Sequence, residues 1–252
     1  MKKPVIKVRH SDVAPIGSST SRRKFLKLGG LALAGTSLFL YSCSEEEIKT
    51  QEGVTATDAG SESVFDLGSG DLGILNYAYA LEQLEAAFYT KVIEGSYWAS
   101  ADPLEKLYLK DIQKHEVIHR EFFKAVLNAT FSSDKVAPDL EFDFSTVDFS
   151  DRDSVLGTSI VLEDTGVSAY NGAGDLISEP AYLVAAGKIV SVEARHASAL
   201  RSLYLPGFTE FAGDDVVDEN GLDLATEPKD VLDTVSTAFI ETQFTYNNIP
   251  NG

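Results

Sequence analysis

The sequence predicts an all-α fold: a four-helix bundle of two antiparallel hairpins joined by a long crossover, with a short C-terminal helix behind it. Three observations carry this. Four long segments place apolar residues at three- and four-residue spacing. The first and last of the three connections between them are short, whereas the middle one spans residues 129–153. A Glu/His pattern occurs twice, once in each half of the chain.

The elements follow in order. Residues 44–70 are rich in Ser, Thr, Gly and Glu without apolar periodicity and read as a flexible linker. The first helix is expected over residues 71–93, with Gly95 as its stop. The second opens at Asp102-Pro103-Leu104-Glu105 and continues to about residue 128. Asp is its cap, Pro fills the first turn, and Glu three residues on closes a capping box. The crossover carries Pro138 and repeated Phe-Asp units at 142–149. Its length lets it run beside the bundle, so that the second and third helices lie parallel. The third helix is expected over 154–170, broken by Asn171-Gly172-Ala173-Gly174. The fourth starts near Glu179-Pro180 and ends near Tyr204, before Pro206-Gly207. A shorter fifth helix is expected over 227–242. Residues 71–205 thus form the bundle and 206–252 a C-terminal extension. Gly157 and Gly166 in the third helix and Gly187 in the fourth suggest close helix approach or local irregularity.

The N-terminus reads as an address rather than as structure. Residues 1–43 hold eight of the 21 Lys and Arg and one of the 39 Asp and Glu. Ser21-Arg22-Arg23-Lys24-Phe25-Leu26-Lys27 matches the twin-arginine export pattern, and a weakly apolar stretch, 28–41, follows it. Leu40-Tyr41-Ser42-Cys43 resembles a lipoprotein cleavage box, although Tyr41 fits it imperfectly; Cys43 is then either lipidated or close to a simple cleavage site. The expected location is the periplasm, outer membrane or cell surface, with a lipid anchor as the route to the membrane. From Ser44 onward 13 bases face 38 acids, a charge that repels phosphate backbones and excludes a broad nucleic-acid-binding face. With Cys43 the only cysteine, intramolecular disulfides and Cys-based metal sites are excluded.

The repeated pattern carries the chemistry. Leu81-Glu82 precedes Tyr89 by seven residues counted from the Glu, and Glu116 and His119 follow. Leu162-Glu163 precedes Tyr170 in the same way, and Glu193 and His196 follow. Glu at i and His at i+3 share one side of a helix. On the second helix they continue the stripe Leu104, Tyr108, Ile112, Phe123, Val126, and on the fourth the stripe Ala186, Val190, Ala197, Leu200, Tyr204. Glu82 lies with Leu75, Tyr79, Ala86, Tyr89 and Ile93 on the first, and Glu163 is placed likewise on the third. Four carboxylates converging on a dry interior are untenable alone. Two divalent cations neutralise them, and carboxylate and imidazole donors suit iron or manganese. The expected cofactor is therefore two Fe or Mn ions per chain. Glu85 competes with Glu82 for the ligand position. Tyr89 and Tyr170 are expected either to hydrogen-bond the ligands, to pass electrons or simply to pack. His115 is turned about 100° from the stripe, exposed or behind the ligands.

On these residues the chain resembles the ferritin-like superfamily, and more narrowly the exported bacterial ferritin-like proteins related to plant desiccation-related proteins. The resemblance rests on Leu81-Glu82-Gln83-Leu84-Glu85-Ala86-Ala87-Phe88-Tyr89, Glu116/His119, Leu162-Glu163-Asp164 with Tyr170, and Glu193/His196. It implies Glu82 and Glu163 as terminal ligands, Glu116 and Glu193 as bridges, and His119 and His196 as one cap each. It also implies O₂ or peroxide as substrate and leaves room for a homo-oligomer. Three activities remain open: a dinuclear oxidoreductase, a metal-stabilised stress protein without turnover, and a surface interaction module using 129–153 or 205–252.

Overall fold

The first helix, α1 (Gly70–Glu94), is apolar on nearly every side, and it is buried that way: every residue from Gly73 to Ala86 is out of solvent. It forms the axis of the fold in the computed structural model, which describes residues 64–205 and 210–252. The export motif with Arg22 and Arg23, Cys43, and residues 44–63 of the linker lie outside the described residues. After a one-turn helix α2 (Ser96–Ser100) come α3 (Pro103–Thr130), α4 (Arg152–Ala173), α5 (Pro180–Tyr204) and α6 (Pro228–Ala238). The fold is all-α, with α1 packed along α3, α4 along α5, and the two pairs meeting α1 to α4 and α3 to α5. No described helix is long and apolar enough to cross a membrane.

Local chemistry sets the helix starts. Asp102 and Glu105 form a reciprocal capping box at α3, the Asp151 carboxylate accepts from the Ser154 amide at α4, and Glu179 accepts from Ala181 at α5. Asp71 accepts from the Ser178 and Glu179 amides, which ties the start of α1 to the turn between α4 and α5. Gly95 ends α1, as expected, and does so in extended backbone (φ −72°). Its lack of a Cβ matters because one would meet the Phe149 carbonyl at 2.7 Å.

Two buried amides on α1 hold the crossover. Asn76 donates to the Leu67 and Lys135 carbonyls and accepts from the Ala137 amide; Gln83 donates to the Pro138 carbonyl and accepts from Leu140. The Phe-Asp units divide their labour. Phe144 is buried against Phe88, Phe142, Phe149 and Phe239, while Asp143 and Asp148 cap turns by accepting from Ser145 and Ser150.

Several expectations need correction. The linker does not reach residue 70: β1 (Phe65–Asp66) pairs in parallel with β2 (Phe244–Thr245), and Leu67 is buried in the core. The C-terminal helix stops at Ala238 because residues 239–241 switch to pairing with the crossover. On α3, Leu104 and Tyr108 are exposed (48% and 36%), while Glu105 and Leu109 turn inward. The cause is Glu105, on which the Tyr97 hydroxyl (2.9 Å) and the Arg152 guanidinium (2.7 Å) converge, rotating the buried face of that end. Further along, Leu127 is buried and Val126 only partly, and on α5 Ile189 replaces Val190. Gly157 and Gly187 make no close contact, whereas Gly166 faces Glu85 of α1 and Gly172 faces the C-terminal segment: a Cβ at Gly172 would clash with the Thr226 carbonyl.

Candidate metal centre

The four helices of the bundle each deliver carboxylate to one point. Glu82 from α1, Glu116 from α3, Glu163 from α4 and Glu193 from α5 are all 0% exposed, and His119 and His196 are buried beside them. His119 Nδ1 lies 2.8 Å from Glu193, 3.3 Å from Glu116 and 3.4 Å from Glu82. His196 Nδ1 lies 3.0 Å from Glu116, 3.0 Å from Glu193 and 3.2 Å from Glu163. Two four-residue groups result, Glu82/Glu116/His119/Glu193 and Glu116/Glu163/Glu193/His196, each with its ligand atoms within 4.8 Å of one another. Glu116 and Glu193 belong to both.

Protons alone do not satisfy this arrangement. Each Nδ1 carries at most one hydrogen, yet three carboxylate groups crowd it. Glu163 Oε1 accordingly has no hydrogen-bond partner, and Oε2 of Glu82 and Oε1 of Glu116 and Glu193 have only a shared Nδ1, at 3.4, 3.0 and 2.8 Å, that completes no hydrogen bond to them. Orphaned buried carboxylate oxygens are costly, and a cation between them repairs all at once. All-oxygen and imidazole donors suit first-row divalent ions, so the residues present fit a metal.

The electrostatics are uneven across the cluster. Burial pushes Glu82 up to about 8 against the pull of His119. Burial, with the charges of Glu116 and Glu193, also holds Glu163 well above the usual carboxylate range despite His196. Burial acts on Glu193 in the same sense, but hydrogen bonds from His119 and His196 outweigh it and bring that carboxyl down to about 2. Burial would lower both histidines, yet the carboxylates around them win, raising His119 strongly and His196 to about 12. In the metal-free protein the two imidazoles are therefore cations, His119 held first by Glu116 and then by Glu193 and Glu82, and His196 first by Glu163 and then by Glu116 and Glu193.

The outer residues are placed as follows. The Tyr170 hydroxyl donates to Glu82 Oε1 at 2.5 Å. Tyr89 is buried beside Glu163 without completing a hydrogen bond. With the His196 Nδ1 turned to the carboxylates, its Nε2–H donates to Nδ1 of His115 at 2.9 Å, so His115 orients the His196 ring from an exposed position. Glu85 is buried but joins neither four-residue group; it fills the gap left by Gly166, where a Cβ would meet its Oε1 at 3.1 Å. Burial and the Glu163 charge hold it well above the carboxylate range, as a neutral acid beside the cluster.

Comparison with known families agrees with this geometry: a ferritin-like domain matches residues 70–205. The chain belongs to the ferritin-like domain family. No curated protein matches it. The matched span of this ferritin-like chain covers α1 to α5 and thus every cluster residue. What sequence reasoning missed is the clamp behind the cluster. Arg201 holds Asp164 (2.6 Å) on α4 and Asp215 (2.7 Å) on the C-terminal segment. No periodic signal connects Asp215 to α5, so only the folded chain reveals the contact.

Proposed function

We propose that this ferritin-like chain is an exported oxidoreductase holding two iron or manganese ions and reducing O₂ or peroxide. The observation that carries the reading is the sharing of Glu116 and Glu193 by both four-residue groups, so that these two carboxylates would help hold both of two cations. Glu82 and His119 would hold one of them further, and Glu163 and His196 the other. When bound, such a pair supplies redox equivalents and Lewis acidity to an oxygen substrate. The chain's own residues orient and insulate. Tyr170 fixes Glu82, His115 fixes the His196 ring, and burial of all four Glu keeps bulk water from the centre. Glu85 offers a neutral carboxylic acid for proton supply. Export rests on the sequence around Arg22 and Arg23, with Cys43 as the anchor to the membrane.

Elemental analysis of folded protein, joined to oxidation assays of the reduced centre with O₂ and with H₂O₂, tests this reading. About two Fe or Mn per chain and turnover with either oxidant support it. Metal-free folded protein after reconstitution sinks it. The complete enclosure of the four Glu favours a second reading, in which the cations hold the bundle together and nothing turns over. Metal-dependent stability with no reaction toward either oxidant would select that alternative.

A further inference from the structure

A narrow cavity lies inside the end of the bundle where α1 and α5 begin and α3 and α4 finish, leaving about 20 Å³ to the centre of a water-sized sphere. Its wall is carbon almost throughout and includes Ala78, Leu81, Phe123, Ala173, Ala186 and the Tyr170 ring. Three of these residues are neighbours of one side of the centre. Leu81 adjoins Glu82, Ala78 lies one helical turn before it, and Phe123 lies one turn after His119. The Tyr170 ring is part of the wall, and its hydroxyl donates to Glu82. The Glu163/His196 side is different: there the neighbours are the Glu85 carboxyl and the His115 imidazole, both polar. The two halves repeat each other in ligands but not in surroundings.

We propose that this cavity is a holding site for an apolar diatomic, dioxygen, delivered to the Glu82/His119 side of the centre. The inference rests on the proposed oxidoreductase and narrows its substrate. A void of this size admits one small molecule, and an apolar one stays dry and takes up apolar guests. Water or peroxide entering would lose hydrogen bonds that the carbon wall does not return. Dioxygen makes no hydrogen bonds worth keeping in water and enters without that penalty. The polar side, with an exposed His115, is left for protons.

Xenon is the probe. Crystals of the metal-loaded chain under xenon pressure should show an anomalous peak among Ala78, Phe123 and Ala186. Ala186→Leu, two helical turns from Glu193, should abolish the peak and slow oxidation of the reduced centre by O₂, while the H₂O₂ rate and metal content hold. Ala173→Val, at the opposite wall, should act in the same direction and serves if the first variant folds poorly. An ordered water in place of xenon overturns the site. Loss of xenon with an unchanged O₂ rate, or equal slowing by both oxidants, overturns the delivery role. A metal-loaded centre that reacts with neither oxidant refutes the proposed function itself, whatever xenon does, and the dioxygen assignment falls with it.

Discussion

Glu82→Gln and Glu193→Gln are the same chemical change at two buried carboxylates of one cluster, yet the structure assigns them opposite behaviour in the metal-free protein. Glu82, pushed up to about 8 by burial, is largely neutral at pH 7, so a neutral amide replaces a neutral acid. Glu193, brought down to about 2 by its two histidine partners, is an anion between two imidazolium ions. A depression of that size corresponds to on the order of 3 kcal/mol, and removing one partner of a buried ion pair costs about 3–5 kcal/mol. For a domain of this size 1 kcal/mol moves Tm by roughly 2–4 °C. Metal-free Glu193→Gln should therefore melt on the order of 10 °C below the parent, and metal-free Glu82→Gln within a few degrees of it. Adding Mn(II), or Fe(II) without oxygen, changes the comparison. Each tenfold loss of metal affinity removes about 1.4 kcal/mol of ligand-linked stabilisation, so Glu82→Gln should lose part of the metal-induced rise in Tm. Differential scanning calorimetry with and without metal reads all four values. Equal metal-free losses in the two variants, or an undiminished metal-induced rise in Glu82→Gln, would refute the charge assignment.

Stability of the metal-free protein should increase as pH falls from about 9 to 6. Glu82 and both histidines have folded-state values above their unfolded ones, so their contributions are complete at low pH and fade as pH rises through the folded values. Protons and cations compete for the same atoms, so the metal-induced rise in Tm should grow as pH rises from about 6 to 9; titration calorimetry at two pH values checks it through the protons released. Below about pH 4 the sign reverses, because Glu193 and the depressed Asp66 and Asp139 lose stabilisation as they protonate. Gly172→Ala should detach the C-terminal segment from α4, since its Cβ would clash with the Thr226 carbonyl; faster proteolysis within 210–226 and a lower Tm are the readouts. Asn76→Ala removes three hydrogen bonds to residues 67, 135 and 137, and should cost about 2–4 kcal/mol by denaturant melt, with crossover amides exchanging fastest.

Much of the site was legible because its signal is local. E-x-x-H puts Glu116 beside His119 and Glu193 beside His196 on any helix, and Leu-Glu followed seven residues later by Tyr marks the partner helices. The choice between Glu82 and Glu85 was legible only through the echo of that spacing at Glu163 and Tyr170. In the fold Glu82 joins a four-residue group, whereas Glu85 lies against Gly166 and joins neither. Helix starts at Asp102 and Glu179 were readable from their caps for the same reason. The burial of α3 was misread at Leu104 and Tyr108, because a strict periodic stripe takes no account of Arg152 and Tyr97 reaching Glu105 from other elements.

The sequence by itself determined the helices, the crossover length and the six side chains able to hold cations, since each depends on residues within a few turns of one another. Tertiary structure alone decided that the two Glu/His pairs share Glu116 and Glu193 and that Tyr170 reaches Glu82. It also decided that Asn76 and Gln83 hold the crossover and that a carbon-lined cavity shares the Tyr170 ring, whose hydroxyl donates to Glu82. Those features depend on how four helices are set against each other, which close packing of distant side chains dictates and no local pattern records.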